Sequence, residues 1–196
     1  RFKELGYNIG GFDATTASKV LSGSGLSSSA AFEVLVCTIL NHLYNNGKIS
    51  PVEIAKISQY AENVHFKKPC GLLDQTACAV GGFVTIDFAD PANPVIEKVP
   101  LDFEKTGHSL CIVDTKGSHS DLTGEYAAVR TEMEQVAAFF GKKVLREISK
   151  KDVIENAGAI SKSVSERAVL RALHFFNENE RVEKQVTFLK AGDFEN

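Results

Sequence analysis

The stretch GSGLSSSAAFEV, Gly23–Val34, decides how the rest of the chain is read. Its glycines and serines let the backbone pass close to a ligand and supply hydroxyl groups. The run AAFEVLVCTILNHLY that begins after Ser29 reads as a strongly apolar helix, buried on most faces. A loop that enters a helix directly meets unpaired N–H groups and the positive end of the helix dipole, which favour an anion. Phosphate is the obvious guest. Other glycine-rich loops fit poorly. A Walker A loop needs a Lys that is not there, and in a dinucleotide fingerprint the third Gly would fall at Ser28. A G-x-S-x-G elbow is also absent. Composition alone leaves a second reading open, a flexible polar linker ahead of a capped helix.

Outward from this loop, TTASKVLS at 15–22 reads as a short strand feeding it. Asn45-Asn46-Gly47 breaks the helix. Ser50-Pro51 opens a second one, with Ser50 as the N-cap and Pro51 at the first helical position. Ile54, Ile57, Ser58, Ala61, Val64 and His65 share one face of it, while Glu53, Lys56 and Glu62 fall elsewhere. Pro69-Cys70-Gly71 is a turn and residues 72–80 a short helix, which Gly81-Gly82 ends. FVTIDF then alternates as a strand does. A loop with Pro91, Pro94 and Pro100 follows and marks a boundary. HSLCIVDT at 108–115 reads as a mostly buried strand. Residues 123–140 read as a helix on the spacing of Tyr126, Val129, Met133, Val136 and Phe140. A polar segment with a short helix runs to about 158, and a long helix spans 163–190. The fold class is α+β. Its expected division is residues 1–107, the later part of a nucleotide-binding half, and 108–196, the start of a second half.

Composition excludes several classes. The 196 residues are 43% hydrophobic and 24% charged, the balance of an ordinary globular domain. A net charge of −3 argues against a general nucleic-acid binder. Apolar runs stop short of the roughly 20 residues of a membrane span. The opening RFKELGYNIGGF lacks a secretory pattern. Reduced thiols and a cytoplasmic location are therefore expected for Cys37, Cys70, Cys78 and Cys111. The five histidines show no metal-type spacing.

Several strings resemble one family. GSGLSSSAAFEV is similar to the phosphate-binding motif of the GHMP kinases, a superfamily of small-molecule kinases, and its three consecutive serines look like the galactokinase variant. Leu21 stands where the family usually has Pro, which costs loop stiffness and removes no phosphate contact. Cys70-Gly71-Leu72-Leu73-Asp74-Gln75 resembles the galactokinase segment whose Asp contacts the accepting sugar hydroxyl. Ala61-Glu62-Asn63 resembles the segment whose Glu holds magnesium, and Glu125-Tyr126 with Arg130 the segment whose Tyr lies near the sugar. NENERV at 177–182 and Ala191-Gly192-Asp193 resemble a later helical region.

The resemblance implies a GHMP-kinase-like two-layer sheet-and-helix architecture, here incomplete. It implies phosphorylation of galactose at its 1-hydroxyl, with ATP and Mg²⁺. ATP would be bound by Gly23, Ser24, Gly25, Leu26, Ser27, Ser28, Ser29 and Ala30, the metal by Ser29 and Glu62, and the sugar by Gly71, Asp74 and Tyr126. Asp74 would be the catalytic group, either taking the hydroxyl proton or holding it in line. The residue types suit the chemistry, since phosphoryl transfer needs positioning and charge neutralisation more than covalent help. Taken singly, each has a plainer reading. Glu62 reads as a solvated charge, Asp74 as an acidic residue at a helix start, Tyr126 as core, and Cys70 and Cys78 as small buried residues, while Lys67-Lys68 reads as a solvated pair ahead of a phosphate-facing one.

The family's opening G-R-x-N-L-I-G-E-H-x-D-Y and its late G-x-G-F-G-G do not occur in the chain, which also starts at Arg1 without Met. The expectation is a central fragment of a galactokinase, inactive by itself and prone to self-association through faces that lack partners. Galactose and ATP are the expected partners, with no nucleic acid and no membrane. The alternatives are a GHMP kinase with another acceptor, such as another sugar or mevalonate, and a non-catalytic sugar and ATP sensor on the same scaffold.

Overall fold

The computed structural model describes residues 1–20, 25–113 and 123–194. Gly23 and Ser24 of the expected phosphate loop lie outside the described residues. The chain divides into two compact units, Arg1–Val99 with Ser109–Gly117, and Pro100–His108 with Ser118–Asn196.

The first unit is built on three helices and a hairpin: α1 (Ser28–Asn45), α2 (Pro51–Tyr60), α3 (Leu73–Val80), β1 (Phe83–Asp87) and β2 (Val95–Val99). The helix expected from Ser29 is there, but it is not buried on most faces. Ala30, Val34, Cys37 and Asn41 are buried, at the three- and four-residue spacing of one helical stripe. Phe32, Leu35 and Leu43, on the other sides, are exposed. The buried stripe packs with Phe2, Ile49, Ile54 and Ile57 into the unit's core.

Ser50 caps α2 as its residue type requires, accepting from the Glu53 N–H at 3.2 Å with Pro51 behind it. Two asparagines act as backbone substitutes. Asn41 donates to the Ile49 carbonyl and accepts from its N–H, at 3.1 and 3.0 Å, which fixes the turn between α1 and α2. Asn45 does the same for Asn8, with both bonds at 2.9 Å.

β1 pairs antiparallel with β2, Phe83 opposite Val99 and Asp87 opposite Val95. The expected loop around Pro91 and Pro94 therefore holds a strand. Asp87 and Asp90 accept from the N–H groups of Ala89 and Ala92 at 2.8 and 2.9 Å, and these Asx turns reverse the chain. Two other expected strands are corrected. Residues 15–20 and 108–113 are irregular, and the rest of both segments lies outside the described residues. Leu110 and Val113 are exposed. An apolar strand needs neighbours, and the sheet described holds only β1 and β2.

The second unit carries α4 (Thr123–Phe139), α5 (Lys150–Glu155), α6 (Ala157–Ser163) and α7 (Glu166–Ala191). Its core is Val136, Ala137, Leu145, Val153, Ile160, Ala168, Val169 and Ala172. Ser149 and Asp152 form a capping box at α5, and Ser165 caps α7. α4 and α7 are also joined by charge. Glu132 accepts from Arg167 Nε at 2.9 Å and lies 2.9 Å from Arg171 Nη1, and Arg167 reaches Glu125 at 3.0 Å. No described helix is long and apolar enough to cross a membrane.

Candidate active site

The site in the first unit begins at Ser27, which precedes α1 with a left-handed backbone (φ 57°). A serine in that position normally turns its hydroxyl back onto the helix it precedes. Ser27 instead donates to Asp74 Oδ2 at 2.6 Å, and its own side chain makes no cap to α1. The start of α1, an 18-residue helix, is its positive end, where unpaired N–H groups favour an anion. Asp74 stands in the first turn of α3 and is exposed. One hydrogen bond therefore joins the serine loop to the carboxylate that the second motif singled out.

Glu62 does not sit where the helical face placed it. After Tyr60 the helix widens into a π turn, Ala61–His65, in which the Phe66 N–H reaches back to the Ala61 carbonyl at 3.1 Å. The wider turn changes the angle between successive side chains. Glu62 is turned inward, 4% exposed, while Val64 and His65 face solvent. The reading of Glu62 as a solvated charge is corrected. Its Oε1 accepts from Ser29 Oγ at 3.1 Å and from Lys68 Nζ at 2.6 Å, and its Oε2 from Gln75 Nε2 at 2.9 Å.

The loop after the π turn is stapled onto it. Asn63 donates to the Cys70 carbonyl at 3.2 Å and accepts from the Cys70 N–H at 2.7 Å. Gln59 donates to the same carbonyl at 3.2 Å. Lys67 takes a left-handed backbone (φ 55°), and the Lys68 N–H returns to the Glu62 carbonyl at 3.1 Å. Lys68 thus holds Glu62 at backbone and side chain together.

The electrostatics follow. Burial pushes the Glu62 carboxyl up, but the Lys68 hydrogen bond and charge, with bonds from Cys70 and Ser29, outweigh it and hold the group below its ordinary value. Glu33, one turn beyond Ser29 on α1, is raised by burial against the weaker pull of its Gln75 bond. Burial and the neighbouring Glu62 charge push the Cys70 thiol to about 11, so it is no nucleophile at neutral pH. Gln75 Nε2 lies between two carboxylates, 2.9 Å from Glu62 and 3.3 Å from Glu33. That fixes the amide's orientation and leaves Gln75 Oε1 buried, with no hydrogen-bond partner among the described residues.

Ser29 and Glu62 fit a divalent cation. Both offer hard oxygens, and their 3.1 Å separation is close to the edge of a magnesium octahedron, about 3 Å for ligands at 2.0–2.1 Å. Magnesium keeps several waters and takes few protein ligands, so no larger cluster is needed. No group of three or more His, Cys, Asp or Glu residues suited to a metal occurs among the described residues.

Of the other expected residues, Gly25 and Leu26 lead into Ser27, and Gly25 has φ 76°. Gly71 precedes α3, and a Cβ there would meet, beyond its chain neighbours, no atom of the described residues within 4 Å. Tyr126 is exposed on α4 of the second unit. Glu33 and Gln75 join the site without a role assigned from the sequence, and Lys68, read with Lys67 as a solvated pair, is bonded to Glu62. Glu33 is four residues from Ser29 on one helix, and Gln75 follows Asp74, so spacing carried a signal for both. Nothing in the sequence separates Lys68 from Lys67.

Residues 1–82 match the family model described as GHMP kinases N terminal domain. The chain is similar to galactokinases along nearly its whole length. It is 37% identical to a galactokinase of Streptomyces coelicolor over 97% of the chain and 49% of that relative. It is 35% identical to one of Thermotoga petrophila over 99% of the chain and 52% of the relative. The crystal structure of Lactococcus lactis galactokinase complexed with galactose superposes with a TM-score of 0.68 at 23% identity, over 98% of this chain and 49% of that one. The chain spans about half the length of the curated relatives it matches.

Proposed function

We propose that the protein to which this chain contributes transfers the γ-phosphoryl group of ATP to the 1-hydroxyl of galactose. The observation that carries this reading is the 2.6 Å bond between Ser27 and Asp74. It brings a helix start that Ser27 does not cap, suited to the phosphates, to a carboxylate suited to the acceptor hydroxyl. The galactokinases among the relatives supply the substrate class.

In this reading the residues divide the work by chemistry. The N–H groups of Ser28, Ser29 and Ala30, with the loop from Gly23, bind the triphosphate. Ser27 fixes the rotamer of Asp74, which takes the proton of the sugar hydroxyl or holds that hydroxyl in line. Gly71 gives the sugar room beside the backbone. Ser29 and Glu62 would hold magnesium, which neutralises phosphate charge when bound. Gln75 keeps the Glu62 carboxylate in one orientation. Cys37, Cys70, Cys78 and Cys111 are free thiols, which supports a cytoplasmic setting.

The test is phosphate transfer from labelled ATP to galactose, other sugars and mevalonate. Galactose is the expected acceptor. The Asp74→Asn variant should lose about 10²–10⁴ in turnover, the range of a positioned proton acceptor, with nucleotide affinity unchanged. Transfer to mevalonate alone would reassign the acceptor. Binding of both ligands without transfer in the unsubstituted protein would mark a sensor instead.

A further inference from the structure

We propose that Lys68 is an internal counter-ion for the cation site, seated on Glu62 until a divalent ion displaces it. This rests on the reading of Ser29 and Glu62 as the cation's ligands. The Lys68 ammonium lies 2.6 Å from Glu62 Oε1, the same oxygen that Ser29 approaches at 3.1 Å. A metal held by Ser29 and Glu62 and an ammonium on that oxygen would claim the same position.

The two partners differ in freedom. The Glu62 side chain is 5% exposed and fixed from its other side by Gln75. The Lys68 side chain is 61% exposed, on a four-carbon stem, and can swing into solvent without moving the backbone. Its anchoring is local, through the Lys68 N–H to the Glu62 carbonyl and the left-handed Lys67 before it. The departing group is therefore the lysine, and the carboxylate stays. A buried carboxylate without a positive partner is costly. Lys68 removes that cost in the metal-free protein and lowers the affinity for free metal by the same amount.

The experiment measures Mn²⁺ affinity, by the loss of the free-ion paramagnetic resonance signal, for the unsubstituted chain, Lys68→Met, Lys68→Gln and each combined with Glu62→Gln. Circular dichroism verifies that every variant is folded. Both Lys68 variants should bind Mn²⁺ about tenfold more tightly, on the order of one charge-assisted hydrogen bond at a partly exposed site. Glu62→Gln should abolish binding in every background. Equal or weaker affinity in the Lys68 variants, with Glu62→Gln still abolishing binding, overturns the counter-ion role alone. Mn²⁺ binding that ignores Glu62→Gln overturns the ligand reading and the counter-ion role with it.

Discussion

Ser27 and Asp74 make the claim of this structure most local. Ser27 spends its hydroxyl on a carboxylate 47 residues away, not on its own helix. Ser27→Ala should therefore free Asp74 to rotate. Turnover should fall about a hundredfold, the scale of a displaced catalytic group, while ATP affinity stays within a few-fold. Equal loss of ATP affinity would make Ser27 a phosphate ligand only. Gly71→Ala should leave thermal stability unchanged, because the added methyl meets no described residue beyond its chain neighbours, and should raise the KM for the sugar. A lowered melting temperature with an unaltered KM would contradict the sugar contact. Ser29 and Asp74 were named through motif resemblance, and the structure places them in the first turns of α1 and α3. Glu62 was legible as a motif residue but not as a buried one. Its inward turn depends on a π turn, and a helical wheel assumes the α period continues.

Elements with strong local signals were read well, and elements that depend on partners were not. Ser50-Pro51 and Gly81-Gly82 mark ends that backbone chemistry enforces, and the structure starts α2 and ends α3 there. β2 was missed because prolines on both sides masked the Val95–Val99 run, although β1 needed a neighbour. Ser50→Ala should cost about 1 kcal/mol, measured by urea denaturation. Ile160→Ala, in the second unit's core, should cost about 2–5 kcal/mol. A loss well under 1 kcal/mol would mean that α6 is not packed as described. The α5 capping box should respond to pH. Asp152 is held below its ordinary 3.8 by the Ser149 side-chain bond first and the Ser149 N–H second. A depressed carboxyl stabilises the fold above its unfolded value, and that contribution is lost as pH falls through the folded one. Asp152→Asn should therefore flatten the acid limb of the stability curve below about pH 4. An unaltered limb would count against the box.

The whole molecule leaves apolar surface open. Phe32, Leu35 and Leu43 on α1, and Leu110 and Val113 after the hairpin, face solvent. Such residues should drive concentration-dependent self-association of the 196-residue chain, seen in sedimentation velocity. A monomer across the micromolar range would contradict this. At this scale the sequence was read through resemblance more than physics, because periodicity finds helices but not what they pack against. The central claim is that the start of α1 holds the triphosphate and aims it at Asp74. Its most direct test is a crystal structure of the protein with a non-hydrolysable ATP analogue, Mg²⁺ and galactose. Phosphate oxygens should lie on the N–H groups of Ser28–Ala30, with the sugar 1-hydroxyl within hydrogen-bond reach of Asp74. Phosphates bound away from that helix start, or a sugar hydroxyl beyond the reach of Asp74, would contradict it.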